Sequence, residues 1–280
     1  MTTKELPIQT IKEPNKYVVF SLWCQKERMD IGNKSQSGNM YCQGALRNIE
    51  LANEIYPGWK FRFYIDNSVP AEIITELISK GAEIINMQDV FITNTPNKKY
   101  PGMFWRFLPM NDPLVDIFIV RDVDSRINRR EALAVEAWLD SGKMLHVMRD
   151  HPHHHYKILG GMWGFDCRQM RFDFTTSIRE FMKQRHYIFK RMDDMKFLDS
   201  LYDSCINSDS VLEHDTFFKN VWGKTQLFPE CNYHYTKKYY SFVGEIFDEH
   251  NDAVNLDRDS NLFNHQHYKV VMSNRNESFR

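Results

Sequence analysis

Hydrophobic positions in the first half of the chain fall into short continuous runs, separated by segments in which they recur every three or four residues. Tyr17-Val18-Val19-Phe20-Ser21-Leu22-Trp23 is apolar, β-branched and aromatic, and predicts a buried strand. A polar loop follows from Cys24 to Asn39. Ala45, Leu46, Ile49, Leu51, Ala52 and Ile55 then keep helical spacing as far as Pro57-Gly58, a natural stop. Trp59 to Ile65 alternates as a strand, Ala71 to Ser79 reads as a helix ended by Gly81, and Ala82 to Met87 returns to a strand. Further on, the pattern predicts a helix over Met103 to Met110 and a strand over Asp116 to Val120. A helix over Arg130 to Leu139 with a stop at Gly142 comes next, then a strand over Met144 to Met148.

Strands alternating with helices predict an α/β fold, a mostly parallel central sheet flanked by helices, with a helix-rich C-terminal half. With no internal repeat or low-complexity linker, the expectation is one domain over residues 15–250 and a polar extension over 251–280. Ligands of such sheets bind at the carboxyl ends of the strands. Asp66, Asp122 and the pair Arg149-Asp150 all fall at predicted strand ends, and that convergence marks the place to look for chemistry.

Composition narrows the class. The 36 Lys+Arg nearly balance the 37 Asp+Glu, so no electrostatic footprint for nucleic acid or an anionic membrane is present. No run approaches the roughly 18 apolar residues of a membrane span, and Met1 to Pro7 lacks the apolar region of a secretory signal. Cys24, Cys42, Cys167, Cys205 and Cys231 are scattered and free of CxxC spacing, which suits reduced thiols in a cytoplasmic protein.

Asp122-Val123-Asp124, directly after four apolar strand residues, carries the strongest chemical signal. Two carboxylates one residue apart on a tight turn can both reach one hard cation, Mn²⁺ or Mg²⁺. Such an ion can bridge a diphosphate and neutralise its developing charge. An ordinary strand-to-turn junction also favours Asp, so the tripeptide alone is a weak signal. Five of the 11 histidines lie between His146 and His155. Adjacent histidines point in different directions and no second cluster completes a tetrahedral site, so a polar loop at a strand end is the better reading. There Arg149 can bind phosphate or pair with Asp150, and Asp150 and His151 can hydrogen-bond sugar hydroxyls.

Gly102-Met-Phe-Trp-Arg-Phe-Leu-Pro-Met110, an acidic spacer, and Phe118-Ile-Val-Arg-Asp-Val-Asp-Ser125 together resemble the GT-A (Rossmann-like) glycosyltransferases, the glycogenin-like retaining group in particular. The resemblance implies transfer of a sugar from a nucleotide-diphosphate donor, with UDP expected, to a glycan, protein or small-molecule hydroxyl. It implies donor contact by Arg106 and metal coordination by Asp122 and Asp124. Ser21, Trp23 and Asp66 lie where such proteins hold the base and ribose. Gly160-Gly161-Met162-Trp163-Gly164-Phe165 resembles the glycine-containing strand over the donor sugar, and Leu227-Phe228-Pro229 and Ser241-Phe242-Val243-Gly244 resemble later segments. Where the group takes a third metal ligand from a histidine, this chain has Ser241, and His234 is the substitute.

Glu213-His214-Asp215-Thr216 is similar to an acidic helix start near the acceptor, with Thr216 in place of the usual Gln, which leaves retention or inversion open. Asp215, with Glu213 as second choice, is the expected catalytic carboxylate, a helix N-cap being the plain alternative. Two rivals remain. A haloacid-dehalogenase-like phosphohydrolase also carries a strand followed by Asp-x-Asp, and Asp193-Asp194 can pose as its distal acidic pair. A non-catalytic carbohydrate- or nucleotide-binding protein can keep the same fold.

Overall fold

A computed structural model describes residues 13–24, 38–88, 101–190, 192–229 and 242–254. Strand β1 (Lys16–Leu22) leads through α1 (Gly38–Ile55) to β2 (Lys60–Ile65), α2 (Ala71–Ser79) and β3 (Ala82–Asn86). A short α3 (Gly102–Trp105) and a 3-10 turn (Leu108–Asn111) precede β4 (Ile117–Arg121) and α4 (Arg129–Ser141). Then come β5 (Leu145–Arg149), β6 (Met162–Asp166), α5 (Phe174–Gln184), α6 (Asp193–Ile206), β7 (Val211–Asp215) and β8 (Thr225–Gln226).

One eight-stranded sheet runs in the order β3-β2-β1-β4-β6-β5-β7-β8. Every neighbouring pair is parallel except those of β6, which runs antiparallel to both β4 and β5. This single reversal departs from the simple alternation, and it has a structural consequence. The amino end of β6 meets the carboxyl ends of β4 and β5, with Met162 opposite Arg121. Gly160 and Gly161 therefore arrive beside Asp122.

Side chains alternate between two cores, as period-2 strands require. Tyr17, Val19, Phe118, Val120, Trp163 and Phe165 face the layer that holds α3, α5 and α6. Val18, Phe20, Leu22, Phe61, Phe63, Ile117 and Ile119 face α1, α2 and α4, with Phe20 stacked on Phe63 at 4.7 Å. Helix α4 begins where the Asn128 side chain accepts from the Glu131 N–H at 3.0 Å and ends at Gly142, which takes a left-handed φ of 65°. That N-cap is worth about 1 kcal/mol. Fully buried Trp138 adds roughly 2–3 kcal/mol of burial from the same helix.

Two expectations are corrected. The helix over Met103 to Met110 breaks at Arg106-Phe107, because Pro109 has no N–H and its ring clashes with the carbonyl four residues earlier. Glu213-His214-Asp215 starts no helix but lies in β7, where Glu213 pairs with Val147 and Asp215 with Arg149. Among the described residues beyond 141, two strands, the helices α5 and α6, and two further strands follow in that order. Helix α1 also starts earlier than its apolar stripe, at Gly38. No helix among the described residues is long and apolar enough to cross a membrane.

Candidate active site

The carboxyl end of the sheet opens into a cavity of about 520 Å³. Of the residues singled out in the sequence, Ser21, Trp23, Arg106, Asp122, Asp124, His151, Gly160 and Gly161 line it. Each arrives by a traceable route. Trp23 leaves β1 and packs edge-on against Trp105, their centroids 5.8 Å apart. A Cβ on Gly102 would lie 2.6 Å from the Trp23 ring, so this approach requires glycine. Ser21 Oγ accepts the Arg106 N–H at 3.0 Å, tying β1 to the break after α3.

The Asp122–Ser125 turn is held from two sides. Asn48, fully buried on α1, donates from Nδ2 to the carbonyls of Val123 (3.2 Å) and Ser125 (2.8 Å) and accepts the Ile127 N–H at 3.0 Å. A Cβ on Gly44 would stand 2.1 Å from the Val123 carbonyl oxygen, so α1 reaches the turn only with glycine there. On the other side the Phe247 N–H donates to the Asp124 carbonyl at 2.8 Å, and Arg126 Nε donates to Asn251 Oδ1 at 2.7 Å. Residues 242–254 thus lie across the turn and supply Phe242, Gly244 and Ile246 to the cavity wall. Residues 251–254 of the expected extension pack here, and 255–280 lie outside the described residues.

Charges inside the cavity are uneven. Arg106, buried, donates from Nη1 to Asp122 Oδ1, and its Nη2 stands 3.5 Å from Asp194 Oδ2. Burial pulls the Arg106 pKa down, but Asp122 and Asp194 outweigh it and hold the guanidinium charged. Burial, then the neighbouring Asp122 carboxylate, pushes Asp124 up to about 7. Burial also raises Asp194, against the pull of Arg106. Three carboxylates therefore surround the Arg106 guanidinium, and Arg126 also draws on Asp124. A Cβ on Gly161 would sit 2.0 Å from Asp122 Oδ2, and one on Gly160 2.5 Å from Asp194 Oδ2 and 2.7 Å from Arg106 Nη2. Both glycines let backbone approach the acidic group where any side chain would block it.

A divalent cation fits this donor set in part. Asp122 and Asp124 offer hard oxygen ligands, and their mutual repulsion is what a cation relieves. No group of three His, Cys, Asp or Glu able to hold a metal occurs among the described residues, so other oxygens must complete the shell. His234 lies outside the described residues.

Other expected site residues lie behind the cavity wall. Asp66 accepts from the Ser68 N–H and hydroxyl, and Ser68 Oγ accepts the Cys24 N–H at 2.8 Å, an anchor between the ends of β1 and β2. Arg149 is fully buried and paired with Glu213 and with Asp215, whose Oδ2 its Nε meets at 2.6 Å. Asp150, also fully buried, takes two hydrogen bonds of 2.9 Å from Arg130 and one of 3.1 Å from the Val243 N–H. Arg149 is thus paired with Glu213 and Asp215, and Asp150 with Arg130 and the strap at Phe242–Gly244, and none of these charged side chains lines the cavity. Asp215 Oδ1 accepts the N–H groups of Phe217 and Phe218, a capping role at a turn in place of a helix.

Asp194 is the functional candidate the sequence reading misplaced. Its signal was present: two acidic residues immediately precede the helical stripe Phe197, Leu198, Leu201, Tyr202, so α6 starts with Asp193-Asp194 and delivers Asp194 into the cavity.

No protein-family profile matches the chain, and no curated protein sequence does. Among solved structures it is similar to galactosyltransferase LgtC in complex with donor and acceptor sugar analogues, at 14% identity and a TM-score of 0.46, over 72% of this chain and 74% of that one. It is similar to mouse xyloside xylosyltransferase 1 (12%, 0.40, over 75% and 89%). It is also similar to the 4-diphosphocytidyl-2C-methyl-D-erythritol synthase of Anaerococcus prevotii (10%, 0.40, over 71% and 87%). None of these three reaches a TM-score of 0.5.

Proposed function

We propose that the chain is a metal-dependent glycosyltransferase of the GT-A type, moving a sugar from a nucleoside diphosphate sugar, UDP being the expected nucleotide, to a hydroxyl acceptor. The observation that carries this reading is the Asp122-Val123-Asp124 turn opening into the cavity at the end of β4, with Gly161 backbone against Asp122. When bound, Mn²⁺ or Mg²⁺ neutralises charge on the departing diphosphate. Asp122 and Asp124 would hold it, and their two carboxylates would leave room for oxygens of the diphosphate. Arg106 orients Asp122 and offsets the local negative charge. Trp23 and Tyr41 offer aromatic faces for the base. Asp194 takes the part expected of Asp215 and Glu213, a carboxylate presented to the transferring sugar or the acceptor hydroxyl from a helix start.

The test is a thermal-shift and calorimetry panel of nucleoside diphosphates and their sugars, with Mn²⁺, with Mg²⁺ and with EDTA. Binding of a diphosphate that requires the metal and is lost in Asp122→Asn and Asp124→Asn is expected, since a ligand of the native state raises the melting temperature. A panel in which no nucleoside diphosphate binds, with either metal, sinks the proposal.

A further inference from the structure

The Sγ atoms of Cys24 and Cys42 stand 2.8 Å apart, well inside the contact distance of unbonded sulfurs and roughly 0.8 Å beyond a disulfide bond of about 2.05 Å. Neither thiol is used by the proposed transfer. The two are carried by different elements of the fold. Cys24 follows β1 directly, and its N–H is held by Ser68 at the end of β2. Cys42 lies on α1, the helix that Gly44 and Asn48 seat against the Asp122–Ser125 turn. We propose that Cys24 and Cys42 form a reversible disulfide that fixes the cavity wall carrying Trp23 and Tyr41.

The roles of the two thiols differ. Cys24 is half-buried and its hydrogen bond to Cys42 lowers its pKa, whereas Cys42 is buried and the same bond raises its pKa. Cys24, the more exposed of the two, is the thiolate that attacks, and a peroxide is the oxidant. The Cys24 sulfur takes one peroxide oxygen as the O–O bond breaks, giving a sulfenic acid and, after protonation, water. The Cys42 sulfur then attacks Cys24 sulfur, the S–O bond breaks, and the hydroxyl leaves as a second water with the Cys42 proton. Two thiols lose two electrons and one peroxide gains them. Cys167 and Cys205 do not compete, because burial pushes each thiol up to about 12. Cys231 lies outside the described residues.

The position couples the bond to the cavity. Trp23 precedes Cys24, Tyr41 precedes Cys42, and both line the cavity wall. A bond ties these residues together in the arrangement that already encloses the cavity, so ordering of that wall is no longer required on binding. This coupling rests on the donor reading above, whereas the disulfide itself does not.

The full-length chain is treated with hydrogen peroxide and digested without reduction. Trypsin cuts at Lys26, Arg28 and Lys34 between the two cysteines, so a bridge appears as two joined peptides lacking two hydrogens. The expected result is a Cys24–Cys42 bridge that dithiothreitol reverses, is absent in Cys24→Ser and Cys42→Ser, and persists in Cys231→Ser. The bridged protein melts about 5 °C or more higher, since the bond closes a short loop in the unfolded chain. Sulfinic acid at Cys24, or a bridge to Cys231 in its place, overturns the assignment. With a nucleoside diphosphate and Mn²⁺, the oxidised protein binds at least threefold tighter. Equal affinity in the two states overturns the coupling to the cavity. Absence of binding in both states counts against the transferase reading and leaves the disulfide result standing.

Discussion

Asn48→Ala removes the buried amide that clamps the Asp122–Ser125 turn, and the structure sets the size of the effect. Two of the three hydrogen bonds lost leave carbonyls that keep another donor, because Arg126 Nη1 also reaches Val123 O at 3.4 Å and Ser125 O at 2.9 Å. The third leaves the Ile127 N–H without the Asn48 acceptor in a region where Ile127 is 3% exposed. An unsatisfied buried donor costs about 1–3 kcal/mol, and the weakened carbonyls and small void add to it. The sum is about 2–4 kcal/mol, read as a shift in urea midpoint at unchanged slope. Asn48→Asp keeps the volume and the acceptor. It turns a carboxylate oxygen toward two carbonyls and adds negative charge near Asp122 and Asp124, so it destabilises at least as much as Ala. Both variants also weaken metal-dependent nucleotide binding, because the turn no longer presents its carboxylates. A loss below about 1 kcal/mol in Asn48→Ala, or an Asn48→Asp protein as stable as the parent, refutes the clamp.

Arg106→Ala is expected to destabilise the fold as well as weaken donor binding. It leaves Asp194, with a side chain 3% exposed, uncompensated, while Asp122 at 42% recovers water, and the expected loss is about 2–3 kcal/mol by urea unfolding. A stability within error of the parent counts against the pairing. Gly161→Ala drives a Cβ into Asp122 Oδ2, and calorimetry should show Mn²⁺–nucleotide binding weakened about tenfold or more with little change in melting temperature. Unaltered affinity sinks the close-approach argument. Burial holds His214 neutral, with a pKa of about 4 against about 6.5 in the unfolded chain. The unfolded state therefore takes protons first: this contribution is full above about pH 6.5 and is lost as pH falls toward 4, by up to about 3 kcal/mol. Asp124, raised to about 7, acts in the opposite sense. The measurement is accordingly the difference between the parent and His214→Gln in urea midpoint from pH 7.5 to 4.5. Parallel profiles refute the assignment.

Elements set by local pattern were legible in the sequence, and those set by partners distant in the chain were not. Helix α2 occupies Ala71–Ser79, as its apolar spacing and Gly81 indicate, and β1 to β5 lie within about a residue or two of their hydrophobic runs. Cavity residues that follow strand carboxyl ends, Trp23, Asp122 and Asp124, follow from the same logic, because a parallel sheet gathers its carboxyl ends. The reversal of β6 was not legible, since antiparallel pairing leaves no mark in a fully buried five-residue run. Glu213-His214-Asp215 looked like a helix start because capping residues precede apolar ones. The register opposite Arg149 decides instead, placing two carboxylates where one buried guanidinium needs them. That same pairing keeps the buried Arg149 guanidinium engaged by Glu213 and Asp215. Charged residues around the carboxyl end of the sheet divide into those held by buried partners of their own, as Arg149 is by Glu213 and Asp215, and those that share one buried partner and face the cavity, and the second kind is the better placed to serve a ligand. Asp194 belongs with the second kind. Its one cationic partner, Arg106, is shared with Asp122 and stands 3.5 Å away, so the negative charge left over in the cavity is the feature that most directly calls for a cation there.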